Sequence, residues 1–269
     1  MRVVSLLHKV AGLLESHSRL GALKVFELDA TKGIISTVEV TGTLLSDAIR
    51  GRSSQAHRDT LPMAFFLAGR WARALQTIPI SEDVPCATPT NPDDLVQHCD
   101  LRLEMLMGLG YSWPNERSRE HVVQWLREQV DATPKDLVRR VWCHGDYGPF
   151  NMIWDGRRLT PIDFEASAPG LPLSDMVYLI YRLEMLPVEV PWRWWPVQLW
   201  RRACLRGYGM PDAERLPIYR VLMVRCLLSR LKNLVQRRSK TQLRHLHDQW
   251  CLRWVRARLV RLIGEPTSV

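Results

Sequence analysis

The stretch from Val141 to Trp154, with Pro161-Ile162-Asp163-Phe164-Glu165 shortly after it, constrains this chain more than any other. An apolar run, Val141-Trp142-Cys143, enters; Gly145, Gly148 and Pro149 force a tight loop; a second apolar run, Met152-Ile153-Trp154, leaves. The pattern predicts strand, loop, strand, with polar groups presented at the loop. Asp146 and Asn151 stand five residues apart across that loop and are expected to face one cavity. Asp155-Gly156 is a turn pair, so the chain should return as a hairpin that brings Asp163 beside Asp146.

Two carboxylates and an amide oxygen converging in one cleft repel unless a cation lies among them or one carboxyl is protonated. A hard, oxygen-seeking Mg²⁺ meets that need with few protein ligands, and substrate phosphates usually complete its shell. The spacing His-x-Asp-x-x-x-x-Asn, followed by Asp-Phe, is that of the catalytic and metal loops of phosphoryl transfer. With Gly145 after His144 and Glu165 after Phe164, it resembles the aminoglycoside phosphotransferase and choline kinase family of the protein-kinase-like superfamily.

That resemblance implies an α+β, protein-kinase-like fold: a reduced small lobe of one helix plus a β-hairpin, and a mainly α-helical large lobe holding the catalytic β-hairpin. It implies a boundary between a partial small lobe and hinge, residues 1–42, and a large lobe, residues 43–269. Asp146 becomes the residue that accepts or orients a substrate hydroxyl proton, and Asn151 and Asp163 become Mg²⁺ ligands. The implied cofactor is Mg²⁺ with ATP or GTP, and the implied acceptor is a hydroxyl of a small molecule that is aminoglycoside-, choline- or sugar-like. Asp175, in Leu171-Pro172-Leu173-Ser174-Asp175, matches the family's helix-initiating Asp that braces the catalytic loop, and should cap that helix. His144 is expected to pack under the loop and hydrogen-bond backbone, as a buried His does. Glu39-Val40 resembles the hinge whose backbone meets the adenine ring.

Before that hinge the chain departs from the family. The resemblance calls for a Gly-rich phosphate loop and a strand Lys, and neither is found among the residues preceding Glu39. Lys24 lies within the expected hairpin, after the first helix, and is a poor substitute. Either the chain lacks its true beginning or the domain grips nucleotide weakly. A pseudokinase-like binding or scaffold protein is therefore the rival to an active enzyme.

Elsewhere, apolar spacing predicts a helix over residues 2–16, strands at 22–28 and 34–40, helical structure from Thr43 onward, and a core helix over 61–75 with Pro at its start. Residues 80–92 read as a loop, 94–109 and 118–129 as helices, and 216–235 and 242–263 as two more. Arg220, Arg225, Arg230, Arg237, Arg253, Arg256 and Arg261 recur through the last two and are expected on solvated outer faces. Residues 191–202 combine Trp192, Trp194, Trp195 and Trp200 with Arg193, Arg201 and Arg202. Such a segment packs into a core, meets a membrane surface or a lipid-linked substrate, or, least expected, stacks on nucleic-acid bases.

The net charge of +9 attracts anions without choosing among them, and no recognised motif supports nucleic-acid binding. The six cysteines are scattered with no C-x-x-C pair, and no secretory signal opens the chain; both suit a reducing cytoplasm.

Overall fold

The computed structural model describes residues 2–29, 31–52, 54–81, 84, 91–237 and 241–264. Ten helices and seven short strands run through them: α1 (Arg2–Leu14), β1 (Val25–Asp29), β2 (Ile34–Thr37), β3 (Thr43–Leu44), α2 (Leu45–Ile49), α3 (Gln55–Asp59), α4 (Leu61–Leu75), α5 (Pro92–Gly108), α6 (Glu116–Asp131), β4 (Val141–Cys143), β5 (Met152–Trp154), β6 (Leu159–Pro161), β7 (Ala168–Gly170), α7 (Ser174–Glu189), α8 (Val197–Tyr208), α9 (Pro217–Gln236) and α10 (Gln242–Ile263). The loop expected at 80–92 falls largely on residues 82, 83 and 85–90, outside those described. No helix among the described residues is long and apolar enough to cross a membrane.

The chain divides into two compact units. The first holds residues 1–88, 140–182 and 196–213, and the second holds 89–139, 183–195 and 214–269.

In the first unit β1 and β2 form an antiparallel hairpin, with Asp29 opposite Ile34. A second sheet has the order β3-β5-β6, in which Thr43 faces Trp154 and Met152 faces Pro161. The hairpin foreseen at Asp155-Gly156 is thus β5-β6. Thr43-Leu44, expected to begin a helix, instead adds a strand to this sheet. Gly42, at φ +136, supplies the backbone turn that lets it do so. A third pair, β4-β7, places Cys143 opposite Ala168 and was not foreseen.

Below the sheets, α4 packs along α8. The two helices approach so closely that a Cβ on Gly69 would run into the Cys204 carbonyl, and one on Gly207 into the Phe66 carbonyl. Phe65 meets Trp200 with ring centroids 5.2 Å apart, and Ala64, Ala68 and Ala72 are wholly buried. An Ala- and Gly-rich α4 explains the close crossing, because small residues let two backbones meet. Trp71, also on α4, donates Nε1–H to the Gly21 carbonyl at 2.8 Å and stacks on Tyr147 at 5.8 Å, tying this helix to the loop between β4 and β5.

In the second unit α5, α6, α9 and α10 are packed together, with Leu95, Leu103, Leu106, Val122, Leu126, Leu227 and Leu231 in its core. Of the arginines expected on outer faces, Arg230 is instead half-buried and pairs with Glu189 at 2.8 Å, while Arg237 is exposed as expected and reaches buried Asp248 at 3.1 Å.

Candidate functional site

The loop between β4 and β5 is built by its own backbone. The Gly148 amide donates to the Asp146 carbonyl at 2.8 Å, and the Asn151 amide to the Gly148 carbonyl at 2.9 Å. Gly145 takes φ +84, and a Cβ there would collide with the Ala166 carbonyl, so only glycine is accommodated. Within this turn the Asn151 Nδ2–H₂ donates to both the Asp146 carbonyl and Asp146 Oδ2, each at 3.0 Å. That spends the nitrogen of the Asn151 amide and leaves Oδ1 as its outward acceptor.

The hairpin returns the chain to the same place. The Ile162 amide donates to the Asn151 carbonyl at 2.9 Å, so Asp163 follows directly from a residue bonded to Asn151. Asp163 is exposed and stands at φ +62, a left-handed conformation that costs a non-glycine residue about 1–3 kcal/mol and concentrates at functional sites.

Under the loop, His144 is wholly buried. Its Nε2–H donates to the Ile162 carbonyl at 2.9 Å, and its ring lies 4.7 Å from Phe164, 5.5 Å from Tyr147 and 6.4 Å from Trp71. Burial lowers the His144 pKa against the pull of Asp175, the Ile162 bond, Asp146 and Asp163, so the ring is held neutral at pH 7.

Asp175 is equally buried, and its two oxygens accept the His144 amide at 2.7 Å and the Gly145 amide at 3.0 Å. It lies in the first turn of α7, one residue inside the helix, so its carboxylate reaches the loop where the sequence suggested a cap. Burial raises its pKa, opposed by His144 and the two amide bonds.

Three neighbours carry no motif and were missed in the sequence. Tyr178, one turn beyond Asp175, donates its hydroxyl to Asp146; burial first, and then this bond, raise the phenol's pKa. Arg182, a further turn along α7, stands over the Phe150 ring at 5.2 Å. Tyr208 donates to Gln76 Oε1 at 2.7 Å and accepts the Leu173 amide at 3.2 Å. The only signal for the first two is their i+3 and i+7 spacing from Asp175.

Other expected positions sit apart from this cluster in their contacts. Glu39 is exposed and Val40 half-buried in the link between β2 and β3. Lys24 is exposed, and its carbonyl accepts the Val38 amide at 2.8 Å. The Trp-rich segment is not one helix. Residues 191–196 are irregular, with Trp192 and Trp194 exposed at 81% and 82%, while Trp195 and Trp200 are buried. Pro191 and Pro196 explain the break, since neither can donate to a helical ladder.

Comparison with known proteins places this geometry. A model of the phosphotransferase enzyme family (APH) matches residues 24–219. No curated protein matches the sequence. Among solved structures, a choline/ethanolamine kinase family protein from Mesorhizobium loti aligns over 98% of this chain and 81% of its own, with 17% identity and a TM-score of 0.56. A thermostable mutant of aminoglycoside phosphotransferase APH(4)-Ia, in ternary complex with ADP and hygromycin B, aligns over 98% and 84%, with 16% identity and a TM-score of 0.59. The GDP complex of aminoglycoside 2'-phosphotransferase-IIIa aligns over 97% and 80%, with 16% identity and a TM-score of 0.57. These likenesses establish an α+β, protein-kinase-like fold with a small N-lobe and a helical C-lobe. With the family match spanning most of its length, the chain belongs to the phosphotransferase enzyme family.

Proposed function

We propose that this protein transfers the terminal phosphoryl group of ATP or GTP to a hydroxyl of a small molecule. One observation carries the reading: in a phosphotransferase-family fold, Asp146 and Asn151 are hydrogen-bonded to each other while Asp163 follows from Ile162, bonded to Asn151, at a strained backbone position. Asp146 is half-buried, holds one oxygen on Asn151 and receives Tyr178, so its carboxylate is oriented before an acceptor arrives. In this reading it accepts or orients the acceptor's hydroxyl proton. Asn151 Oδ1 and the Asp163 carboxylate form a hard-oxygen donor pair suited to Mg²⁺, which when bound with nucleotide neutralises charge on the phosphates. His144 and Asp175 touch no substrate; they fix the loop's backbone. Its structural neighbours include an aminoglycoside phosphotransferase bound to ADP and hygromycin B and a choline/ethanolamine kinase family protein, and the acceptor here is proposed as aminoglycoside-, choline- or sugar-like.

The test is phosphate transfer from ATP and GTP, with Mg²⁺, to panels of aminoglycosides, amino alcohols and sugars. Transfer should appear with at least one acceptor and fall roughly 10²–10⁴-fold in Asp146→Asn, the usual range for a positioned base. Transfer undiminished in that variant would remove Asp146 from the reaction.

A second reading, a catalytically impaired binding protein, is favoured by Lys24. It is exposed and makes no ion pair among the described residues, so it does not supply the strand Lys that grips phosphates elsewhere in this superfamily. Metal-dependent nucleotide binding with no transfer to any acceptor would support it.

A further inference from the structure

The second unit holds a concentration of positive charge that nothing above employs. On α5, His98 and Arg102 are one turn apart; on α9, Arg225, Ser229 and Lys232 fall at i, i+4 and i+7. Each set therefore lies along one stripe of its helix. The Arg102 Nε–H donates to Ser229 Oγ at 2.9 Å, which turns the two stripes toward each other. All five side chains are half-buried.

No carboxylate answers this charge. Among the described residues His98, Arg102, Arg225 and Lys232 form no ion pair. Asp100 is held by Arg119 through both oxygens, at 2.6 and 3.0 Å, and Asp94, one turn before His98, is exposed and pairs with none of them. The consequence shows in the groups themselves. Burial, and then Arg102, Arg225 and Lys232 in turn, push the His98 pKa down to about 4. Burial and Arg225 also lower the pKa of Arg102. His98 Nε2 is buried with no hydrogen-bond partner. Arg102 spends its Nε on Ser229 and one terminal nitrogen on the His98 carbonyl at 3.5 Å, which leaves the other terminal nitrogen unengaged.

Half-buried like charges with unspent donors are stored repulsion, and an anion placed among them relieves it. Two guanidinium groups and an ammonium match a dianionic tetrahedral oxyanion better than a single carboxylate. Guanidinium nitrogens can bridge two of its oxygens, while the ammonium adds a point charge. The geometry points to a phosphate-binding site between α5 and α9, formed by His98, Arg102, Arg225 and Lys232; the Ser229 hydroxyl, which donates to the Arg225 carbonyl at 2.8 Å, positions Arg102 rather than the anion. Its ligand is inorganic phosphate or the phosphate of a phosphorylated small molecule. The site shares no residue with the Asp146 loop, so it does not depend on the function proposed above.

Calorimetry and thermal unfolding of the full chain at pH 7.5 test it, with sodium phosphate compared against sodium chloride at equal ionic strength. Phosphate should bind the wild type and raise its Tm beyond the chloride control. Arg225→Gln should weaken binding at least 10-fold; Arg225 makes no side-chain hydrogen bond among the described residues, so the variant should keep the fold, and Lys232→Gln should act in the same direction. A parallel titration with glycerol phosphate separates the sources: tighter binding than inorganic phosphate assigns a phosphorylated small molecule, and equal or weaker binding assigns free phosphate. The imidazole of His98, followed by NMR, should titrate at higher pH when phosphate is bound. No phosphate-specific shift in the wild type, affinity within 3-fold of it in Arg225→Gln, or an unmoved His98 would each overturn the site.

Discussion

The Tyr208 hydroxyl accepts the amide of Leu173 at 3.2 Å, two residues ahead of Asp175, the carboxylate that holds the loop between β4 and β5. Leu173 stands at φ +69, where a branched side chain is strained, and Tyr208 is itself fixed by its 2.7 Å bond to buried Gln76. The chain of contacts runs from α4 through α8 to Asp175 and so to His144 and Gly145.

Tyr208→Phe removes one hydroxyl from that chain and leaves Gln76 Oε1 and the Leu173 amide unpaired in the interior. The expected loss is about 1–3 kcal/mol, read as a lower denaturant midpoint. Amide exchange should quicken at Leu173, His144 and Gly145 more than elsewhere in the first unit. Uniform quickening would reduce Tyr208 to a packing residue.

Asp163→Ala deletes the exposed carboxylate of the proposed metal pair. Metal-dependent nucleotide binding, measured by calorimetry with Mg²⁺ or Mn²⁺, should drop below detection while the fold survives, because the change relieves none of the buried contacts. Equal affinity in wild type and variant would take Asp163 out of the site.

Lys24→Ala should leave nucleotide affinity within about 2-fold of wild type, because an exposed, unpaired ammonium contributes little beyond a screened surface charge. A 10-fold loss would make Lys24 the phosphate-holding lysine after all.

The lowered pKa of His98 predicts a pH-dependent stability with a definite sign. Between pH 6.5 and about 4 the unfolded chain binds a proton there that the folded chain refuses, so stability falls as pH falls through that window. Replacing His98 by Gln removes the effect. The variant should gain on the wild type as pH drops from 6.5 to 4, by about 1 kcal/mol once partial exposure is discounted. A constant difference across that range would show that His98 titrates normally.

Gly207→Ala should destabilise by about 1–3 kcal/mol, because the added methyl meets the Phe66 backbone and neither helix has room to shift cheaply. An unchanged unfolding midpoint would show that the α4-α8 crossing yields more than its packing suggests.

Much of the site could be read from residue order because its members are close in sequence. Gly145 and Pro149 shape the loop, Asp155-Gly156 closes the hairpin, and the offsets of Asp146, Asn151 and Asp163 follow from local geometry alone. The helix over 61–75 was equally legible from its apolar period and Pro62. The rest depends on partners distant in the chain. Thr43-Leu44 becomes a strand only because Trp154 and Ile153 offer it an edge. Ala168–Gly170 is too short to read as a strand without Cys143 opposite. Tyr208 has no meaning before Gln76 and Leu173 are in place. The arginines of α9 misled for the same reason: Arg230 finds Glu189 some forty residues earlier, and Arg225 is half-buried rather than solvated.

The assembly of the first unit from three separated stretches also sets a timetable during synthesis. The close face of α4 that carries Phe65 and Gly69 has no partner until α8 has been made, and about 120 residues lie between them. At roughly 5–20 residues per second, that face waits on the order of ten seconds at the ribosome. A nascent chain in that interval presents an unmated, Ala-rich apolar surface. A cell producing this protein must keep that surface from other chains until the last segment of the unit arrives.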